Sequence, residues 1–203
     1  MFEQFEFDAE DDEQKILDAT RQRFKDNEYF MEHGLPPVIS YFFYQAYQAL
    51  EYNLFLPACT SFLNGIETSL RITLKEYETK EIVTELNPRI LLNNKLLSDA
   101  QEVGLPVHLL AFPGEDDFQA KIEKKPPNHT FAEIVRIRHN FCHGNILEYI
   151  NSELEEVNHF FTPECTRDIA INLLNVSKLW VKGLGEFRKN HINTDRHPNS
   201  DAP

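Results

Sequence analysis

Residues Glu133–Asn145, EIVRIRHNFCHGN, bring together several side chains that can do chemistry. His139 and His143 are four residues apart, so a helix places them one above the other on a single face. This is the spacing of a helical zinc pair, and each imidazole is also suited to general acid–base catalysis. Cys142 adds a thiol next to His143. The segment therefore indicates a metal site, an acid–base site or a cysteine nucleophile.

A metal site needs more ligands than the two histidines. In the zinc-protease pattern HExxH the residue after the first histidine is the catalytic glutamate, whereas here it is Asn140. A third ligand would have to be Cys142, Cys165 or His129, and a helix places Cys142 about 60° away from His139. The sequence NFCH also lacks the first cysteine of the CxxCH haem motif. We therefore expect no metal and no other cofactor.

Cys142 lies on the apolar side of the same helix. A thiol in apolar surroundings keeps its proton and reacts slowly. We therefore expect an inert core thiol and not a nucleophile.

Arg138 is the more unusual residue. With Ile134 at zero and 100° per residue, Arg138 lies at about 40°, in the middle of the apolar face. A guanidinium group does not lose its proton in a protein, so its burial requires an anion. The anion can be a carboxylate on a neighbouring helix or a bound ligand, or the group can reach solvent at the edge of the face. The residues alone leave these alternatives open.

The rest of the chain predicts an all-α fold, a single helical-bundle domain of roughly five to seven helices. Proline and glycine mark the helix ends, as in HGLPP before the second helix and the capped TPE before the last. Residues 107–130 are predicted to be a long loop with one short helical turn. The predicted helices span about Glu10–Glu32, Pro36–Tyr52, Pro57–Glu78, Leu91–Gly104, Phe131–Asn145 and Thr162–Asn190.

The third predicted helix has a stripe of small and apolar residues that lets a neighbouring helix approach closely. The stripe consists of Ala58, Phe62, Gly65, Ile66, Ser69, Leu70 and Thr73. Glu67 lies on the opposite side, four residues before Arg71. We expect these two residues to form a salt bridge on the surface.

Composition limits the classes of function. The chain has 203 residues and a formal net charge of −13, which argues against indiscriminate nucleic-acid binding. Three cysteines and no apolar run near the roughly 20 residues of a membrane span indicate a cytoplasmic protein without disulfides and without membrane association. Residues 1–9 are expected to be an acidic flexible leader, 10–190 the helical domain and 191–203 a disordered tail.

The segment RHNFCHG resembles the R-polar-x-x-x-H signature of the HEPN superfamily of all-α proteins. Arg138, a polar His139, three intervening positions and His143 fit this signature. Relatives often read R-N-x-F-A-H, so Phe141 and Cys142 match in character. Asparagine or aspartate is more common after the arginine, which is where this chain departs from the pattern. Elsewhere the resemblance is one of helical organisation.

The resemblance implies a metal-independent endoribonuclease of the toxin or defence type. Active members work as homodimers in which the two motifs face one cleft. Arg138 would hold the scissile phosphate and His143 would act as acid or base, with His139 and Asn140 in support. RNA would be cleaved to a 2′,3′-cyclic phosphate and a 5′-hydroxyl, and an antitoxin or a regulatory protein would be a possible partner.

Two other functions stay open at this point. Several HEPN relatives are regulators or protein-interaction modules, in which Arg138 and His143 would be structural. A metal-dependent helical-bundle enzyme is the third alternative. A straight helix separates Arg138 and His143 by about 140°, so a single site within one chain would need a distortion before Gly144. A second subunit that completes the site relieves the same difficulty.

Overall fold

The computed structural model describes residues 14, 15, 17, 18, 20, 21, 25, 28–124, 130–150 and 161–192. These residues form helices, turns and connecting segments and contain no strand, which confirms the predicted all-α helical bundle. Among the described residues from Pro37 onward, the α-helices are α1 (Pro37–Glu51), α2 (Phe55–Thr79), α3 (Asn94–Glu102), α4 (Phe118–Glu123), α5 (Glu133–His143) and α6 (Arg167–His191). Short 3-10 helices lie at Val107–Leu110, Leu147–Tyr149 and Pro163–Thr166.

The chain before α1 agrees with the predicted first helix where it is described. Of residues 14–29, those that the structure describes are helical. The chain then turns at the predicted HGLPP break, and α1 begins with proline at its first position. The predicted leader, residues 1–9, lies outside the described residues, as does all of the predicted tail beyond Ile192.

Helices α1 and α2 pack closely because α2 has small residues along the contact. A β-carbon on Gly65 would lie 3.1 Å from Phe42 Cβ and from the Phe43 ring, so a larger residue would push α1 away. The predicted small and apolar stripe of α2 is buried throughout. The close approach expected from this stripe is therefore confirmed.

Helix α2 also packs against α6, and polar bonds cross this contact inside the core. The Trp180 indole donates a hydrogen bond to Ser69 Oγ at 2.8 Å. Arg188 donates to Thr73 at 2.9 Å and to Glu76 at 2.6 Å, and all three side chains are buried. Buried polar groups need such partners, so these bonds fix how α6 lies on α2.

The predicted loop 107–130 has more structure than one helical turn. It contains the 3-10 helix Val107–Leu110 and helix α4, and residues 125–129 lie outside the described part. Val107, Leu110, Phe118 and Ile122 are all buried, which explains why this segment is ordered despite its proline and charge.

Helix α5 is shorter than the predicted Phe131–Asn145, since it begins at Glu133 and ends at His143. Gly144 follows it with φ of 70°, a left-handed conformation that costs glycine little. In the described part of the chain, no helix has both the length and the apolar composition to cross a membrane.

Candidate functional site

Side chains from the preceding segments fix the start of α5. The Asn94 Oδ1 atom on α3 accepts the Ala132 N–H at 3.1 Å. Glu115 accepts the Glu133 N–H at 2.7 Å and a hydrogen bond from Lys121 at 3.0 Å. These acceptors satisfy N–H groups that a helix leaves open at its first turn. They hold α5 in place along α2, where Arg138 of α5 faces an acidic side chain of α2.

That acidic side chain is Glu67 on α2. Arg138 Nε donates a hydrogen bond to Glu67 Oε2 at 3.1 Å, and the two side chains are only 12% and 9% exposed. An acid on a neighbouring helix was one of the alternatives that the sequence left open for Arg138. The structure contains this ion pair.

Glu67 also binds Arg71 and the backbone of Leu92. Its Oε1 atom accepts from Arg71 at 3.1 Å, and its Oε2 atom accepts the Leu92 N–H at 2.9 Å. The predicted salt bridge to Arg71 therefore exists, but its predicted place on the surface was wrong, since Glu67 is buried. The chain passes over this part of α2, where Asn87 O accepts a hydrogen bond from Arg71 at 2.6 Å.

Arg138 is bound to Glu67 through Nε alone. Its Nη1 and Nη2 atoms make no hydrogen bond with the part of the chain that the structure describes. One carboxylate pairs with two guanidinium groups, those of Arg71 and Arg138, so the cluster keeps a formal charge of 2 − 1 = +1. A guanidinium edge that is held in place and keeps free N–H groups is suited to a phosphate.

His143 lies at the last position of α5 and is exposed. Its ring centroid is 4.4 Å from that of His139, which is also exposed, and the two rings are tilted by 49°. The predicted placement of the two histidines one turn apart on one face is confirmed. Within the described residues, no hydrogen bond, ion pair or ring contact joins Arg138 to His143. The two predicted catalytic residues share a helix but do not meet within one chain.

Asn140 binds neither Arg138 nor His143 among the hydrogen bonds of the described residues. It is buried, and its amide donates to Glu148 at 2.7 Å and to the Tyr149 hydroxyl at 3.2 Å. Its side-chain oxygen accepts from Asn145 at 3.1 Å. Asn140 therefore attaches the end of α5 to the following 3-10 turn. The supporting role predicted for Asn140 would then consist of holding the end of the helix, where His143 lies.

The groups around Asn140 have shifted pKa values. Burial opposes ionisation of Glu148, but hydrogen bonds from Tyr149, Arg136 and Asn140 and the charge of Arg136 offset it, and the pKa of the Glu148 carboxyl is lowered. Burial raises the pKa of Tyr149 to about 12. Arg136 binds both Glu133 and Glu148, and these bonds raise its pKa despite partial burial. Arg136 thus has two carboxylates as partners, whereas Arg138 shares the carboxylate of Glu67 with Arg71.

Cys142 was predicted to be a core thiol, and this was wrong. The residue is exposed, although a helical wheel places it between the buried Ile134 and Val135. Those two residues lie in the first turn of α5, whereas Cys142 lies in the last turn, where the helix ends. The buried thiol is Cys59, whose pKa is raised to about 12 by burial.

The described part of the chain contains no set of side chains that could bind a metal ion. No three side chains of histidine, cysteine, aspartate or glutamate lie close enough together there to hold an ion. His129, which the sequence offered as a third ligand, lies outside the described residues.

Sequence reasoning missed Glu67 as the partner of Arg138. The need of a buried guanidinium for an anion was visible, but the acid lies 71 residues away in the sequence. Nothing local distinguishes Glu67 from the other acidic residues of the chain.

Comparisons with known proteins add no relative. No protein-family model matches the chain, and neither a curated protein nor a solved structure matches it.

Proposed function

We propose that this chain is a metal-independent endoribonuclease of the HEPN type, with Arg138 and His143 as its catalytic pair. One observation supports this above the others. Arg138 is held by Glu67 through Nε and keeps Nη1 and Nη2 without a partner in the described part of the chain. The exposed His143 lies five residues further along the same helix.

Arg138 binds the scissile phosphate in this proposal. The bond to Glu67 fixes the guanidinium plane before substrate arrives, so little side-chain entropy is lost on binding. Nη1 and Nη2, which have no hydrogen-bond partner among the described residues, donate to phosphate oxygens, where negative charge grows as the 2′-oxygen attacks.

His143 transfers the proton. As a base it removes the proton of the 2′-hydroxyl, the 2′-oxygen then bonds to phosphorus, and the bond to the 5′-oxygen breaks. The 5′-oxygen must gain a proton as it leaves, and a single imidazole cannot remove one proton and supply another in the same instant. The products are a 2′,3′-cyclic phosphate and a 5′-hydroxyl.

A homodimer supplies the missing acid. In a homodimer whose two motifs face one cleft, the phosphate lies between the two copies of α5, so that one His143 acts as the base and His143 of the partner subunit acts as the acid. The enzyme then acts in the cytoplasm as a toxin- or defence-type ribonuclease, and an antitoxin protein restrains it.

A second function has an observation of its own. The bond between Arg138 and the buried Glu67 is also what a purely structural arginine would make. With a net charge of −13, the chain then acts as a non-catalytic HEPN-like regulator or protein-interaction module.

Cleavage of a labelled single-stranded RNA in the presence of EDTA separates the two functions. The ribonuclease proposal expects cleavage by the full chain and a loss of at least about 100-fold in His143→Ala, because a general acid–base residue contributes about that much or more. His108→Ala is the matched control, since His108 is also exposed but lies outside α5. Full activity in His143→Ala would overturn the proposal, and the absence of cleavage by the full chain would favour the regulator.

A further inference from the structure

Three aromatic rings form a row across the surface of α5. The ring of Phe131, just before the helix, stacks with that of His139 at a centroid distance of 6.1 Å and an interplanar angle of 28°. His139 in turn lies 4.4 Å from His143. All three side chains are exposed, Phe131 by 43%. Nothing in the proposed chemistry needs Phe131 or the ring of His139.

A cavity of about 500 Å³ begins at the far end of this row. Phe131 is part of its wall, together with Asn93, Ser98 and Ile122 from α3, its cap and α4. The wall is thus partly apolar and partly able to form hydrogen bonds. Because Phe131 belongs both to the row and to the cavity, the cavity is connected to His143 through two ring contacts.

The charges around the cavity favour a neutral group over a phosphate. Lys95 is occupied by Asp99, with Nζ–Oδ distances of 2.8 and 2.6 Å. The lining includes two lysines against three carboxylates, a formal charge of 2 − 3 = −1. A phosphate is repelled here, whereas a nucleobase can stack on the Phe131 ring and donate its N–H groups to the carboxylates.

We propose that Phe131 and His139 form a stacking platform for single-stranded RNA and that the adjoining cavity receives one nucleobase of the substrate. This inference rests on the proposed function, because it assigns the row of rings to the RNA whose phosphate Arg138 holds. Stacking on aromatic side chains accepts any base, and it needs bases that are not paired. The substrate class is therefore single-stranded RNA, and Phe131 and His139 are binding residues.

The test uses a short, fluorescein-labelled, single-stranded RNA that is 2′-O-methylated throughout. Attack by a 2′-hydroxyl is then impossible, so fluorescence anisotropy measures affinity without cleavage. We expect Phe131→Ala and His139→Ala each to weaken binding by about tenfold, within the range for loss of one stacked base. His139→Phe keeps a ring and restores the affinity. Tyr52→Ala is the control, since Tyr52 is a 78% exposed aromatic residue outside the row.

A second oligonucleotide identifies the group that is bound. When the base that occupies the cavity is replaced by an abasic site, Phe131→Ala should cause no further loss. Affinities of Phe131→Ala and His139→Ala within twofold of the unmodified chain would overturn the platform. So would failure of the unmodified chain to bind the oligonucleotide, or an equal loss on abasic and normal oligonucleotides.

The two proposals fail separately. If the chain binds the methylated RNA through Phe131 but cleaves no RNA, the platform proposal stands and the ribonuclease proposal fails. If the chain cleaves RNA and kcat/KM is unchanged in Phe131→Ala and His139→Ala, the ribonuclease proposal stands and the platform proposal fails.

Discussion

Among single residues, Glu67 decides how the candidate site is arranged. One buried carboxylate holds Arg71, Arg138 and the Leu92 N–H. It therefore joins α2 to α5 and to the segment before α3, and it binds Arg71 within α2. The same carboxylate sets the orientation of the guanidinium group that we propose binds phosphate.

Removal of the Glu67 carboxylate should be costly. Glu67→Ala leaves two mostly buried guanidinium groups without their anion, and we expect the free energy of unfolding to fall by about 3 kcal/mol. Chemical denaturation followed by circular dichroism measures this. Lys95→Ala is the control, because it breaks an ion pair whose side chains are 80% and 44% exposed and should cost less than about 1 kcal/mol. Equal effects of the two substitutions would contradict the claim that the buried ion pairs of Glu67 stabilise the fold.

At the scale of elements, α5 is held at both ends by side chains. Asn94 and Glu115 accept its first N–H groups, and Asn140 attaches its end to Glu148 and Tyr149. This fixation is what keeps His143, at the last position of the helix, in a defined place.

The end of α5 should loosen in acid. The folded structure lowers the pKa of Glu148 from its ordinary value of 4.5, so the ionised form stabilises the fold above that pH. The contribution is lost as the pH falls through the lowered pKa. We expect the difference in melting temperature between the natural chain and Glu148→Gln to be constant from pH 7 to 6 and to shrink below about pH 4.5. A difference that is independent of pH down to pH 3 would contradict this assignment.

Local signals explain which parts of these elements the sequence predicted. Pro37, Gly104 and Gly144 mark helix ends through backbone preferences that act within a few residues, and each end lies close to its predicted position. The exposure of Cys142 and the burial of Glu67 depend on how helices and the 80–92 segment lie over one another. A helical wheel does not contain that information, so both were predicted wrongly.

Across the whole molecule, the long helices α2 and α6 form the centre of the bundle, and a buried ion pair joins them. Arg188 and Glu76 are 2% and 4% exposed at their side chains. No local pattern predicts this pair, because an arginine near the end of a helix is also favoured by solvent exposure and by the helix dipole.

This pair should be costly to break and less costly to replace. Glu76→Leu leaves the buried Arg188 without its carboxylate, and we expect the free energy of unfolding to fall by about 3–5 kcal/mol. The double variant Glu76→Leu/Arg188→Met removes both charges and should recover most of this loss. Urea denaturation of the two variants measures the difference. A double variant as unstable as the single one would contradict a charge-based origin of the loss.

The net charge of the whole molecule restricts how it could bind RNA. A chain with a net charge of −13 repels the RNA backbone over most of its surface, so it must bind RNA through a local site.

The most direct test of the proposed function is the chemistry of the cleaved ends. A defined single-stranded RNA is incubated with the full chain in EDTA, and the fragments are identified by mass spectrometry. We predict a 2′,3′-cyclic phosphate and a 5′-hydroxyl at each cleavage site, and no cleavage where a single 2′-deoxynucleotide replaces the attacking ribose. Fragments with a 3′-hydroxyl and a 5′-phosphate, or cleavage at the 2′-deoxy position, would contradict the proposed roles of Arg138 and His143.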